Sequence, residues 1–241
     1  MSKLYEALQN ASRERERLET AKTPVVRPFE SPSWKSDLEI MGLYQAIDAA
    51  LGRKTSRVVQ FIGTQGGEGC STIVRELAAA AAARLEEAVL LIDLDFRSPS
   101  IDAAADPTFR YHLETLGAEA APVDTPFCET EHENFTVSTF SPKCDPILAL
   151  FDMARNDGPW ERLKERFSLI LIDAPPASVS PMGFSLLDRS DGVVLVIRGE
   201  KTQWPAALGL KERILREGGK IIGAVYNDRR YYTPAWLRKY L

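Results

Sequence analysis

Between Gly63 and Thr72 the sequence reads Gly-Thr-Gln-Gly-Gly-Glu-Gly-Cys-Ser-Thr, set between an apolar run and an alanine-rich helical stretch. Glycines in such a turn let successive backbone N–H groups converge on an anion, and the helix that follows adds the positive end of its dipole; this is the chemistry of holding phosphate. Gly66, Gly67 and Gly69 supply the backbone part, and Ser71 supplies a hydroxyl of the kind that ligates Mg²⁺ beside a phosphate. A lysine normally completes the pattern as a point charge on the outer phosphates. Cys70 stands at that position. A neutral thiol brings no charge and a thiolate would repel the phosphates, so the loop is expected to keep its cradle and lack its main cation.

Two further segments carry carboxylates in the same manner. Leu90-Leu91-Ile92 releases Asp93, Asp95 and Arg97 at alternate positions, which an extended chain would aim the same way. Leu169-Ile170-Leu171-Ile172 ends in Asp173, followed by a turn through Pro175 and Pro176. A hard cation such as Mg²⁺ takes one or two carboxylates plus water and phosphate oxygens. Ser71, Asp93 and Asp173 could supply that set, with Asp95 near the attacking group as a base. Any one of these aspartates could equally cap a turn, and it is their joint placement that carries the reading. A dinucleotide site fits less well, because the glycine order and the ribose-reading acid about 20 residues on are missing.

The elements that must position these groups follow from periodicity. Strands are predicted at Val58–Gly63, Ala88–Asp93, Phe135–Phe140, Leu169–Asp173, Gly192–Ile197 and Ile221–Tyr226, most of them near-continuous apolar runs as in strands covered on both faces. Helices are predicted at about Asp37–Leu51, Ser71–Leu85, Ile147–Arg166 (broken near Gly158-Pro159) and Trp204–Glu217. The alternation predicts a doubly wound, mainly parallel α/β sheet with helices on both faces, whose ligands bind beyond the carboxyl ends of the strands. Before it, residues 1–20 read as a charged helix, plainly solvated on the simplest view, and residues 21–36 as a linker broken by Pro24, Pro28 and Pro32. Residues 37–241 form the globular domain.

With 241 residues, 44% hydrophobic and 27% charged, the chain suits one such domain with short appendages. A net charge of −4 argues against nucleic acid bound by bulk charge. Three cysteines, Cys70, Cys128 and Cys144, without close pairing or metal-type spacing suit a reducing cytoplasm. The N-terminus lacks a secretory pattern, and the longest apolar stretch falls far short of the roughly 20 residues that span a bilayer. Membrane association would then come through a surface or a partner.

At these motifs the chain resembles the bacterial tyrosine kinases, specifically the cytoplasmic CpsD/CapB-like components of capsule and exopolysaccharide export, within the ParA/MinD group of deviant P-loop ATPases. The resemblance covers about Glu39 to Leu241. It rests on Gly67–Thr72, which matches G-E-G-K-S-T except at Cys70; on Asp93, Asp95 and Arg97 of a D-x-D-x-R motif; and on Asp173, Pro175 and Pro176 of a D-x-P-P motif. It implies ATP or ADP with Mg²⁺, held weakly or not at all given Cys70, with Gly66, Gly67, Glu68, Gly69, Cys70, Ser71, Thr72 and Arg97 as the nucleotide-binding set. Asn227 is either a contact to the base or an ordinary turn residue. The resemblance also implies an inner-membrane chain-length or co-polymerase partner, a homo-oligomer, and a cytoplasmic place peripheral to that membrane. The opening Met1–Leu8 is similar to the start of stand-alone members from exopolysaccharide loci.

The departures matter as much. Gln65 stands where the chromosome-partitioning branch carries an extra lysine, which disfavours a positioning ATPase. Glu39 is followed by Gly42 and Gln45 instead of the two arginines of the ring-forming helix. Tyr231, Tyr232 and Tyr240 are candidate phosphoacceptors, although Trp236, Leu237 and Leu241 suggest a docked segment rather than a flexible tail. Three functions follow from the resemblance: a kinase-like regulator with a degenerate site, an autokinase that takes its cation from Arg75, Arg97 or a neighbouring subunit, and a ParA/MinD-type ATPase. A reactive Cys70, its pKa lowered by the helix N-terminus, is the redox alternative to a small residue tolerated in a decayed site.

Overall fold

Short apolar strands that alternate with amphipathic helices have one economical arrangement, a sheet with a helical layer on each face. The computed structural model, which describes residues 37–52, 54–95, 128–129, 134–140 and 144–228, has this arrangement. The charged N-terminal segment, the proline linker, Arg97 and the three C-terminal tyrosines lie outside the described residues.

The strands are β1 (Arg57–Gly63), β2 (Val89–Asp93), β3 (Cys128–Glu129), β4 (Phe135–Ser138), β5 (Leu169–Asp173), β6 (Gly192–Arg198) and β7 (Ile221–Asn227). They form one seven-stranded sheet in the order β3-β4-β2-β5-β1-β6-β7. Every neighbouring pair is parallel except β3 with β4. The helices are α1 (Asp37–Leu51), α2 (Cys70–Leu85), α3 (Pro146–Arg155), α4 (Asp157–Arg166) and α5 (Trp204–Arg216). Among the described residues no helix is long and apolar enough to cross a membrane.

Alternation along the strands divides the core. Val59, Phe61, Val89, Leu91, Leu169 and Leu171 face α1 and α2, whereas Val58, Leu90, Ile92, Ile170 and Ile172 face α3 and α4. A third cluster joins Ile62, Val193 and Leu195 to Leu210 and Ile214 of α5. The run Ala78 to Ala82 is buried throughout. Such small side chains let α2 lie close against the sheet, which fixes the direction in which the glycine loop delivers its helix N-terminus. Glu39, Gly42 and Gln45 are exposed along α1.

The predicted break in the third helix moves. Asn156, not Gly158-Pro159, separates α3 from α4, because the Asn156 side chain accepts from the Gly158 N–H and caps the new helix. Pro159 then sits in the first turn of α4, where its missing N–H costs nothing.

At the amino ends of the strands Arg57, 4% exposed, ties three elements together. Its guanidinium donates to Asp48 of α1 at 2.7 Å, to the Tyr44 hydroxyl at 2.9 Å and to Glu87 at 2.6 Å. Burial pushes the Glu87 carboxyl up, but bonds from Ser168, Tyr44 and Arg57 outweigh it and hold the group below its usual range. Arg57→Ala would leave Glu87 without its cation, and we expect a loss of about 3 kcal/mol in urea unfolding. A change below about 0.5 kcal/mol would mean the cluster is solvated ornament.

Candidate nucleotide site

β1 ends at Gly63 and α2 begins at Cys70, so the loop between them rises at the carboxyl edge in the middle of the sheet. Gly67 and Gly69 take φ of 80° and 91°, in the left-handed region where a side chain would be strained. A Cβ on Gly66 or Gly67 would meet open space, whereas one on Gly69 would run into the Asn227 amide. Gly69 is the N-cap of α2 and offers no side-chain acceptor to the first turn. The opening N–H groups of Cys70, Ser71 and Thr72 are thus left to an anion.

The two carboxylates predicted at strand ends are immediate neighbours. Asp93 and Asp173 are in register on the adjacent strands β2 and β5 and are 0% and 2% exposed. Asp93 accepts from the Asp95 backbone N–H at 2.9 Å, which turns the chain after β2 and brings Asp95 to the same edge. Asp173 differs: both its oxygens are buried and neither meets a partner in good hydrogen-bond geometry, with the Ser71 hydroxyl and the Cys70 thiol as the polar groups beside them. Burial, then the charge of Asp93, raises its pKa from 3.8 to about 7, while Ser71, Cys70 and Arg75 nearby pull it down. Two buried carboxylate oxygens without well-aligned partners, next to a serine hydroxyl, are what a divalent cation would satisfy, so the residues present fit Mg²⁺ held by Ser71, Asp173 and Asp93.

Cys70 occupies the acidic side of this arrangement. Burial and then Asp173, Glu68 and Asp93 push its thiol well above its ordinary value. The alternative of a thiol activated by the helix N-terminus is therefore disfavoured against a small residue tolerated in the loop: the carboxylates outweigh the dipole, and the group is held protonated. Arg75, one turn along α2, donates to the Ser71 carbonyl at 3.0 Å and is the cation that Asp173 feels.

Glu68 has a role its sequence position did not disclose. It is 2% exposed, and its carboxylate accepts from the Thr64 N–H at 2.5 Å, the Gln65 N–H at 3.2 Å, the Thr64 hydroxyl and the Thr202 hydroxyl at 2.5 Å. The loop is thereby pinned to the turn between β6 and α5. Three bonds from that side reinforce it: Asn227 to the Glu68 carbonyl at 2.9 Å, Arg198 to the Gly67 carbonyl at 2.9 Å, and Gln65 to the Lys201 carbonyl at 3.4 Å. Asn227 is thus at the loop, with its amide nitrogen spent on Glu68 and its oxygen on the Asp228 N–H. Sequence reasoning assigned no role to Arg198, Thr202 or Asp228; the available signal was their place at the carboxyl ends of β6 and β7. Glu68→Ala would strand buried donors, and we expect about 2 kcal/mol of destabilisation by thermal unfolding. Thr202→Val, which removes one of the donors to that carboxylate, should cost about half as much.

Comparison with known proteins places this geometry. No protein-family model matches the chain. Tyrosine-protein kinase YwqD of Bacillus subtilis (strain 168) is 26% identical over 165 residues, which cover 68% of this chain and 69% of that one. The kinase domain of the Escherichia coli tyrosine kinase ETK superposes with a TM-score of 0.67 at 19% identity, over 81% of this chain and 78% of that one. The chain has the fold of the bacterial tyrosine-kinase domains. MinD of Pyrococcus horikoshii, solved with Mg-ADP, shares the architecture with a TM-score of 0.59 at 18% identity, over 76% of each chain. The expected deviant P-loop architecture is therefore the observed one.

Proposed function

We propose that this chain is a nucleotide-responsive, kinase-like regulator of exopolysaccharide or capsule export whose phosphoryl transfer is weak or absent. The observation that carries the reading is Cys70, a thiol held protonated among Asp173, Asp93 and Glu68 at the position where the kinases it resembles carry lysine. Removing a cation from the outer phosphates costs rate far more than binding, since a well-placed positive charge is worth on the order of 10³ to 10⁵ in phosphoryl transfer. The glycine loop, the open first turn of α2 and a cation held by Ser71, Asp93 and Asp173 would still retain ATP or ADP. The bound cation would screen charge between phosphate oxygens, while the loop N–H groups orient them and Asp95 stands by as a base.

On this reading the protein lies in the cytoplasm against the inner membrane, engages a chain-length or co-polymerase-type partner, and transmits nucleotide state through the ties between the loop and the β6–α5 turn. Nucleic acid has no part in it. Calorimetric titration with ATP and ADP, with and without Mg²⁺, should give Mg²⁺-dependent binding with no detectable labelling of Tyr231, Tyr232 or Tyr240. Autophosphorylation by the pure protein, abolished by Asp93→Ala, would establish the autokinase reading in its place.

A further inference from the structure

An apolar face is left bare at the β7 end of the sheet. Trp204, Leu208 and Leu215 recur along one stripe of α5 and are 74%, 37% and 52% exposed. Ala207, Leu210 and Ile214 turn the neighbouring stripe onto the sheet. On the far flank the Arg213 guanidinium lies 3.8 Å from the centre of the Phe184 ring, in the turn that packs on Ile62 of β1. The bare stripe is therefore on the flank nearer β7. Ala224 and Tyr226 of β7 are in register with Leu195 and Ile197 of β6, so they share the sheet face that α5 covers, and both are exposed. α5 covers β6 and Ile221 at the start of β7 and leaves the rest of that face open. The result is an apolar step with Ala224 and Tyr226 as its floor and Trp204, Leu208 and Leu215 as its wall. It lies along the last strand of the sheet, whose outer edge is unpaired among the described residues.

We propose that residues 229–241 of the same chain cover this step. The chain arrives at its corner unaided: β7 ends at Asn227, next to the floor residue Tyr226, and Asp228 takes φ of 53°, a left-handed turn. Thr233-Pro234 is the sequence signal of a helix start, and after it Trp236, Leu237, Tyr240 and Leu241 recur as a single apolar side. Residues 229–233 in extended form and 234–241 as a helix would together reach about 28 Å, enough to turn back along the roughly 20 Å of β7. Attachment at Asp228 holds the segment at an effective concentration on the order of millimolar, an advantage that no separate partner has. Docking takes both apolar faces out of water. Tyr240 belongs to the docked side, so the same contact withholds it from phosphorylation, whereas Tyr231 and Tyr232 precede the helix start. The inference does not depend on nucleotide binding.

Limited trypsin digestion of the full chain, followed by mass spectrometry, reads the contact as the rate of cleavage after Arg238 and Lys239. Leu208→Glu with Leu215→Glu, both at exposed positions, should speed that cleavage at least about tenfold by opening the wall. Trp236→Ala with Leu237→Ala should do the same from the other side of the contact, and it keeps the test valid if the α5 pair folds poorly. Ile147→Glu with Leu148→Glu, which alters the exposed apolar residues of α3, should leave the rate unchanged. The protection should also hold across a hundredfold range of protein concentration, about 1 to 100 µM, because the contact lies within one chain. Wild-type cleavage as fast as that of the α5 or Trp236-Leu237 variants would overturn the proposal, as would release by the α3 pair. Protection that grows with concentration would assign the face to a second copy, and protection that appears only with phosphatidylglycerol vesicles would assign the segment to a membrane surface; either result overturns it too.

Discussion

Cys70→Lys should raise the affinity for Mg²⁺-ATP by roughly 10- to 100-fold, the worth of one charge-assisted hydrogen bond of about 1.5 to 3 kcal/mol. Any phosphoryl transfer should rise by more, on the order of 10³, because the ammonium would act most strongly on charge that develops at the outer phosphates. The pocket can accept the new cation. The thiol is surrounded by Asp173, Glu68 and Asp93, so a lysine there enters with counter-ions in place and is spared the cost of an unpaired buried charge. The same neighbours make the native cysteine a poor anion ligand, since the field it sits in is already negative. Calorimetry on both proteins and transfer of labelled γ-phosphate are the measurements. An unchanged affinity in a folded Cys70→Lys protein would mean that something other than the missing charge closes the loop, and the regulator reading would lose its physical basis.

Much of this site was legible because its signals are local. The run Leu169–Asp173 ends where the apolar pattern ends, and α1 spans the fifteen residues its periodicity marks, Asp37 to Leu51. Doubly wound topology then carries loop, Asp93 and Asp173 to one edge without further information. What escaped was long-range or too short to have a period. β3 is two residues of an edge pair, Cys128 and Glu129, with no alternation to detect. The link between Glu68 and Thr202 joins residues far apart in sequence, and nothing around Glu68 distinguishes a buried brace from a solvated loop acid. The state of the thiol stayed open for a similar reason: the helix N-terminus is visible in sequence, but its sign is overruled by two strand-end carboxylates that only the sheet register brings within reach.

Asp173→Asn should stabilise the metal-free protein at alkaline pH, and by an amount that depends on pH. In the native state the Asp173 pKa is raised from 3.8 to about 7, first by burial and then by Asp93 across the β2–β5 pair. Between those values the folded chain holds a proton that the unfolded chain has released, so stability from this group is complete near pH 4 and falls as pH climbs through 7. Three pH units correspond to about 4 kcal/mol. The amide of asparagine keeps the shape and never ionises; the variant should therefore match wild type near pH 4 and exceed it by up to about 4 kcal/mol at pH 8 in urea unfolding with chelator present. Added Mg²⁺ should close the gap from the wild-type side, since only the carboxylate gains a ligand. A variant that is less stable at pH 8, or a difference that ignores pH, would show that Asp173 is satisfied in some other way. On the proposed reading a pair of buried aspartates that costs this much stability when empty is a site held ready for a cation, because a turn cap or a core position would be served better by asparagine or leucine.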